Sequence, residues 1–189
     1  MTEPIVSSIV TPILTPIISI DEISKIFLKT AQATLEATTK QDVTFSSTIQ
    51  KTPKISMKPD LTSFVQFNGD YNGLVVMNFS ADAAFAIYKS YMKAMGMPKE
   101  ELATSVTSPE VSDAIGEITN QIMGHLVKEI EDKFNLNVVF GQPKALTLNS
   151  AITLVIDSDY LENRRLSFKI GNYSFRIEIA MEHTEFILS

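Results

Sequence analysis

The stretch Asp113-Ala-Ile-Gly-Glu117-Ile-Thr-Asn120-Gln-Ile-Met-Gly124 reads as the middle of an amphipathic helix. At about 100° per residue, Val111, Ile115, Ile118, Ile122 and Leu126 fall on one side, and Asp113, Glu117, Asn120 and Gly124 fall on the other. Glu117 and Asn120 are spaced i, i+3, so their side chains leave adjacent turns of one face and can act on a single target. An isolated Glu-x-x-Asn is only a pair of solvated residues on a polar face. Its meaning depends on what surrounds it.

The limits of that helix are well marked. Ser108-Pro109-Glu110 supplies an N-cap, an N1 proline and early negative charge, and the apolar spacing carries the helix to about Phe134. Far upstream, Asp21 with Ser24 opens a helix to about Thr39, with Ile23, Ile26, Phe27, Ala31 and Leu35 on its core side. The alternation Val43, Phe45, Ser47, Ile49 predicts a strand over 43–50, ended by Thr52-Pro53-Lys54. Two apolar runs, Leu61 to Asn68 and Gly73 to Phe79, read as a β-hairpin. Ser80 caps a further helix, with Asp82 in its first turn, and Gly96 and Pro98 stop it. After the long helix come strands at 137–140 and 151–156, then a charged loop over 157–165. A last pair, Leu166 to Ile170 and Tyr173 to Met181, is joined by the tight turn Gly171-Asn172.

With 189 residues, 44% of them hydrophobic, the chain can bury one substantial core, or two closely fused halves. Residues 21–189 are expected to form this single domain. Residues 1–20, apolar but broken by Pro4, Pro12 and Pro16, read as an extended arm rather than a signal or a membrane span. The excess of 22 acidic over 16 basic residues argues against nucleic acid and anionic membrane as partners. The absence of cysteine excludes disulfides and thiolate chemistry and fits a cytoplasmic location. His125 and His183 lack ligand-like neighbours, so a metal site has little support.

Laid side by side, the two halves each contain a helix, a strand, a Pro-Lys tripeptide and a hairpin. Aligning Thr52-Pro53-Lys54 with Gln142-Pro143-Lys144 places Phe27 and Thr30 at the positions of Glu117 and Asn120. On that alignment the first copy is a structural relic, and the chemistry belongs to the second.

The order Asp113, three residues, Glu117, two residues, Asn120, twenty-two residues, Pro143 resembles the signature of the CheC/CheX/FliY group of bacterial chemotaxis proteins. The resemblance covers roughly residues 21–181, and the single copy of the motif is similar to CheX rather than CheC. It implies an α+β, pseudo-duplicated fold: an antiparallel sheet packed with three main helices, one of them long and central. It further implies a phosphatase, acting on the aspartyl phosphate of a CheY-like receiver domain, and a homodimer formed by meeting sheet edges. No cofactor of the protein's own is implied, since the receiver supplies Mg2+. Glu117 and Asn120 are then the catalytic candidates, with Asp113 and Gly124 as partner-binding candidates and Pro143 as a structural marker. Gly124 would serve either close approach by a partner or close packing within the domain. His125 reads as a helix-surface or dimer-contact residue. The competing expectation is a catalytically silent module that docks a receiver or flagellar protein through the same helix. A small-molecule hydrolase or metalloenzyme ranks behind both, because no nucleophile–base pair or ligand cluster is visible.

Overall fold

The computed structural model describes residues 19–154 and 161–183. Helix α1 (Ile20–Thr39) begins one residue earlier than the sequence suggests, because Ser19 is the cap and its hydroxyl accepts from the Glu22 N–H. Ser24 is instead buried inside the helix. Ile20, assigned to the arm from sequence, is therefore helical and buried; the rest of the arm, residues 1–18, lies outside the described residues. The strand expected over 43–50 breaks into β1 (Val43–Phe45) and β2 (Gln50–Lys51). Between them, the Ser46 hydroxyl accepts from the Thr48 N–H, and this local bond competes with the ladder. A short β3 (Ile55–Met57) follows, then the expected hairpin β4 (Leu61–Gly69) and β5 (Gly73–Phe79). Helix α2 (Ala81–Ala94) is capped by Ser80 as anticipated.

Helix α3 (Pro109–Phe134) runs its expected length of 26 residues. Beyond it come β6 (Val138–Phe140), β7 (Lys144–Thr147) and β8 (Ile152–Leu154). Of these, β7 is not evident from the sequence, where its alternation is masked by the exposed Leu146. The last hairpin is β9 (Leu161–Ile170) with β10 (Tyr173–Glu182). Residues 161–165, expected as loop, are strand, because their charges find partners. Arg164 pairs with Asp21 and Glu162, and Arg165 pairs with Glu178. Residues 157–160 of that expected loop lie outside the described residues.

The main sheet is antiparallel, in the order β1-β9-β10-β5-β4-β6, with β2 also on β9 and β7 also on β4. The helices cover one face, over a core that includes Phe27, Leu35, Ile122, Val75, Phe168 and Ile177. On the other face, the separate pair β3–β8 covers Val76 and Ala180.

This order is a pseudo-twofold. Val43 pairs with Ile170 and Phe45 with Phe168, just as Val138 pairs with Gly69 and Phe140 with Phe67. Both long helices end on a left-handed cap, Lys40 and Asn135, whose N–H groups bond back to Glu36 and Glu131. Aligned on those caps, the buried positions coincide: Ile23 with Ile118, Ser24 with Thr119, Phe27 with Ile122, Ala31 with Leu126 and Leu35 with Ile130. The duplication read from sequence is therefore present, but its register differs. Gln50 on Arg165 corresponds to Lys144 on Phe64, so Ile49, not Pro53, occupies the place of Pro143. Phe27, fully buried, cannot correspond to an exposed Glu117.

Two ion pairs tie the layers together. The Arg164 guanidinium beside Asp21 joins β9 to α1 and holds the Asp21 carboxyl below its ordinary value, against a smaller opposing effect of burial. This contribution to stability is full above the ordinary carboxylate pKa and is lost as pH falls through the lowered folded value. Glu178, fully buried, accepts from Arg165 Nε at 2.8 Å and from the Ser56 N–H at 3.0 Å, joining β10, β9 and β3. Removing Glu178 takes the acceptor from both the half-buried Arg165 guanidinium and the Ser56 N–H. We therefore expect Glu178→Ala to cost about 3 kcal/mol in urea unfolding. Asp21→Asn should reduce the loss of stability on acidification below about pH 4.

Candidate functional site

Helix α3 packs its apolar side on the sheet and leaves Asp113, Glu117, Asn120 and Gly124 on its outer side. Across from its N-terminal half runs the segment from Phe140 to Ala145, which carries the end of β6 and the start of β7. The two elements enclose a groove of about 660 Å³, lined by Asp113, Glu117 and Asn120 from the helix and by Gln142, Pro143 and Lys144 from the segment. The distant proline of the sequence pattern is thus brought opposite the helix. Pro143 is buried, and Lys144 directly after it starts the strand on β4.

The two central side chains differ in their engagement. Glu117 Oε1 accepts from Gln121 Nε2 at 3.0 Å, and the same nitrogen lies 3.5 Å from the buried Tyr91 hydroxyl of α2. Glu117 keeps its other oxygen for a partner. Asn120 makes no side-chain hydrogen bond among the described residues, so both its amide oxygen and its nitrogen are open to the groove. Gln142 and Lys144 were not singled out from sequence, although both flank the motif proline and Lys144 brings a cation beside two carboxylates.

Gly124 sits one turn past Asn120 and does not line the groove. A Cβ there would meet nothing within 4 Å, so close packing within the domain does not explain this glycine. His125 is exposed, and its Nδ1 is 2.9 Å from the Thr34 hydroxyl of α1. On the cap alignment the first copy presents Glu22 where the second has Glu117, and Lys25 where it has Asn120. There Lys25 Nζ is ion-paired with Glu22. Lacking both the amide and the proline, the first copy is not equipped as the second is. Among the described residues no group of three or more His, Asp or Glu side chains is placed to hold a metal ion. No described helix is long and apolar enough to cross a membrane.

Residues 14–189 match the family described as "Protein of unknown function (DUF3334)". No curated protein matches the chain. Among solved structures, the chain is similar to the chemotaxis protein CheX from Desulfovibrio desulfuricans, at 19% identity and a TM-score of 0.71, covering 85% of this chain and 99% of that one. It is similar to CheX in a CheX–CheY–BeF3–Mg2+ complex from Borrelia burgdorferi, at 15% identity and a TM-score of 0.62, covering 85% and 98%. FliY from Thermotoga maritima matches at 18% identity and a TM-score of 0.64, covering 86% and 87%. The fold is therefore that of CheX, CheC-like proteins and FliY, as the motif implied. At these identities it is the fold that is shared.

The two glycines of α3 are open to a direct test. A methyl group added at Gly116 or at Gly124 would meet nothing within 4 Å, and both residues lie inside a regular helix. We expect Gly116→Ala and Gly124→Ala each to raise unfolding stability by about 1 kcal/mol in urea titrations.

Proposed function

Because the chain belongs to the family described as "Protein of unknown function (DUF3334)" and folds as CheX, CheC-like proteins and FliY do, we propose that it is a phosphatase acting on the aspartyl phosphate of a CheY-type receiver domain. The observation that carries this reading is the Asn120 amide, unpartnered among the described residues, beside Glu117 in a groove walled by the Pro143 segment. The solved CheX–CheY complex supports the choice of partner, since a protein of the same fold engages CheY there.

The chemistry asks little of the enzyme. An acyl phosphate is already reactive, and what slows its hydrolysis is the chance of a water reaching the phosphorus opposite the leaving carboxylate. Asn120 accepts a hydrogen bond from that water through its amide oxygen and fixes its position. Water oxygen bonds to phosphorus, and the bond from phosphorus to the aspartyl oxygen breaks. The carboxylate leaves with its electron pair, and the water proton passes to the phosphate product or solvent. Glu117, its rotamer held by Gln121, docks a cationic side chain of the receiver rather than removing a proton. Asp113 extends the acidic rim, and the bare surface at Gly124 lets the receiver backbone approach the helix. The receiver's divalent cation supplies charge neutralisation at the phosphoryl group when bound.

The test is the lifetime of a phosphorylated receiver from the same organism. Wild-type protein should shorten it. Asn120→Ala should remove about two orders of magnitude of the acceleration while leaving the fold intact. Glu117→Ala should mainly raise the protein concentration needed for half-maximal effect. Receiver binding with an unchanged phosphate lifetime would identify a silent docking module, and no effect on any receiver of the organism would reject the proposal.

A further inference from the structure

The outer face of the main sheet, beside β3, carries a basin of about 580 Å³ remote from the α3 groove. Its charged lining is Lys58, Lys169 and Arg176, and among the described residues no aspartate or glutamate lines it. In a chain of net charge -6, a concavity with three cations and no anion is unusual. None of the three side chains has an ion-pair or hydrogen-bond partner among the described residues. Glu178, two residues past Arg176 on the same strand face, is already committed to Arg165 and the Ser56 N–H.

The strand register explains how these groups gather. Phe168, Ile170, Phe175 and Ile177 turn toward the helices, so their neighbours Ser167, Lys169, Ser174 and Arg176 turn outward. Lys169 lies directly across from both Thr44 and Ser174, and Arg176 across from both Ser167 and Asn78. Each cation is therefore flanked by hydroxyl or amide groups on a rigid sheet, and Arg176 adds the forked donor geometry that matches an oxyanion.

The duplication supplies an internal control. Phe45 pairs with Phe168 and Phe168 with Phe175, as Phe140 pairs with Phe67 and Phe67 with Gly73. By that correspondence the places of Thr44, Lys169 and Arg176 are taken in the other half by Val139, Asn68 and Leu74. The same backbone is built there with neither Lys169 nor Arg176 replaced by another cation, so the fold does not require these two charges.

We propose that this basin is a binding site for a small phosphate-bearing anion, with Lys169 and Arg176 neutralising the phosphate and the surrounding hydroxyls donating to its oxygens. The volume suits a molecule of nucleotide size. The site is independent of the phosphatase reading. Titration calorimetry of the full chain with sodium pyrophosphate and, separately, with ATP, both without metal and at about 0.15 M salt, tests it. Saturable 1:1 binding of either probe is expected, weakened at least tenfold by Arg176→Gln and by Lys169→Gln, while Lys99→Gln on the far side of α2 leaves it unchanged. Equal affinities would show that the site reads phosphate alone, and tighter binding of ATP would show that it reads a nucleotide. Circular dichroism of each variant verifies that the sheet is retained. Absence of saturable binding of both probes would overturn the proposal. So would a loss shared equally by Lys99→Gln, which would mark diffuse attraction instead of a site.

Discussion

The seven-residue antiparallel pairing of β5 with β10, from Phe79 on Phe175 to Gly73 on Met181, is the seam on which the rest of this molecule depends. It joins the two halves of the duplication at the centre of the sheet, and every other pairing of the main sheet is laid outward from it in matching fashion. The helices follow. Helices α1 and α3 lie on the same face because their buried positions correspond one for one, and that placement turns the polar side of α3 to the open. The groove between α3 and the Pro143 segment is then a consequence of packing, not a separate construction.

The two halves share a backbone and differ in the side chains they present to solvent. One half retains an amide beside a carboxylate on its long helix, where the other has closed the same spot with the Glu22–Lys25 ion pair. On the sheet, Lys169 of β9 and Arg176 of β10 stand where the first hairpin has Asn68 and Leu74. Charge at a solvated surface is free to change without loss of core packing, so a duplicated fold can diverge on its outer residues while its interior stays matched.

Much of this was legible in the sequence wherever a local rule governs. The 3.6-residue spacing of α3, its Ser108-Pro109 start, the Ser80 cap and the Gly171-Asn172 hairpin all depend on neighbours in the chain, and each stands in the structure where the sequence places it. The failures share a different cause. Strand β3 is three residues long and exists because β8 pairs with it across the duplication. Residues 161–165 look like a charged loop until Asp21 and Glu178 are placed beside their arginines. The repeat is recognisable in sequence but misaligned there, because two Pro-Lys steps resemble one another whereas equivalence is set by cross-strand register. The left-handed caps that give the right alignment are Lys40 and Asn135; the usual glycine marker is present at neither. In the site, Glu117, Asn120 and Pro143 were legible as a pattern, while Gln142, Lys144 and the Gln121–Tyr91 support needed the third dimension.

The central seam also has a consequence for how the molecule is made. Strand β1 rests on β9, and β5 rests on β10, so during synthesis the first half of the chain emerges with two strand edges that nothing yet covers. The whole of α3, with β6, β7 and β8 after it, separates the end of β5 from the start of β9. Until residues 161–182 leave the ribosome, β5, with its apolar run Val75, Val76, Met77, is paired along one edge alone, to β4, and the nascent chain is at its most prone to pair with a neighbour. A duplicated fold that stitches its halves together strand by strand gains one shared core, and in return it matures only when the last hairpin arrives.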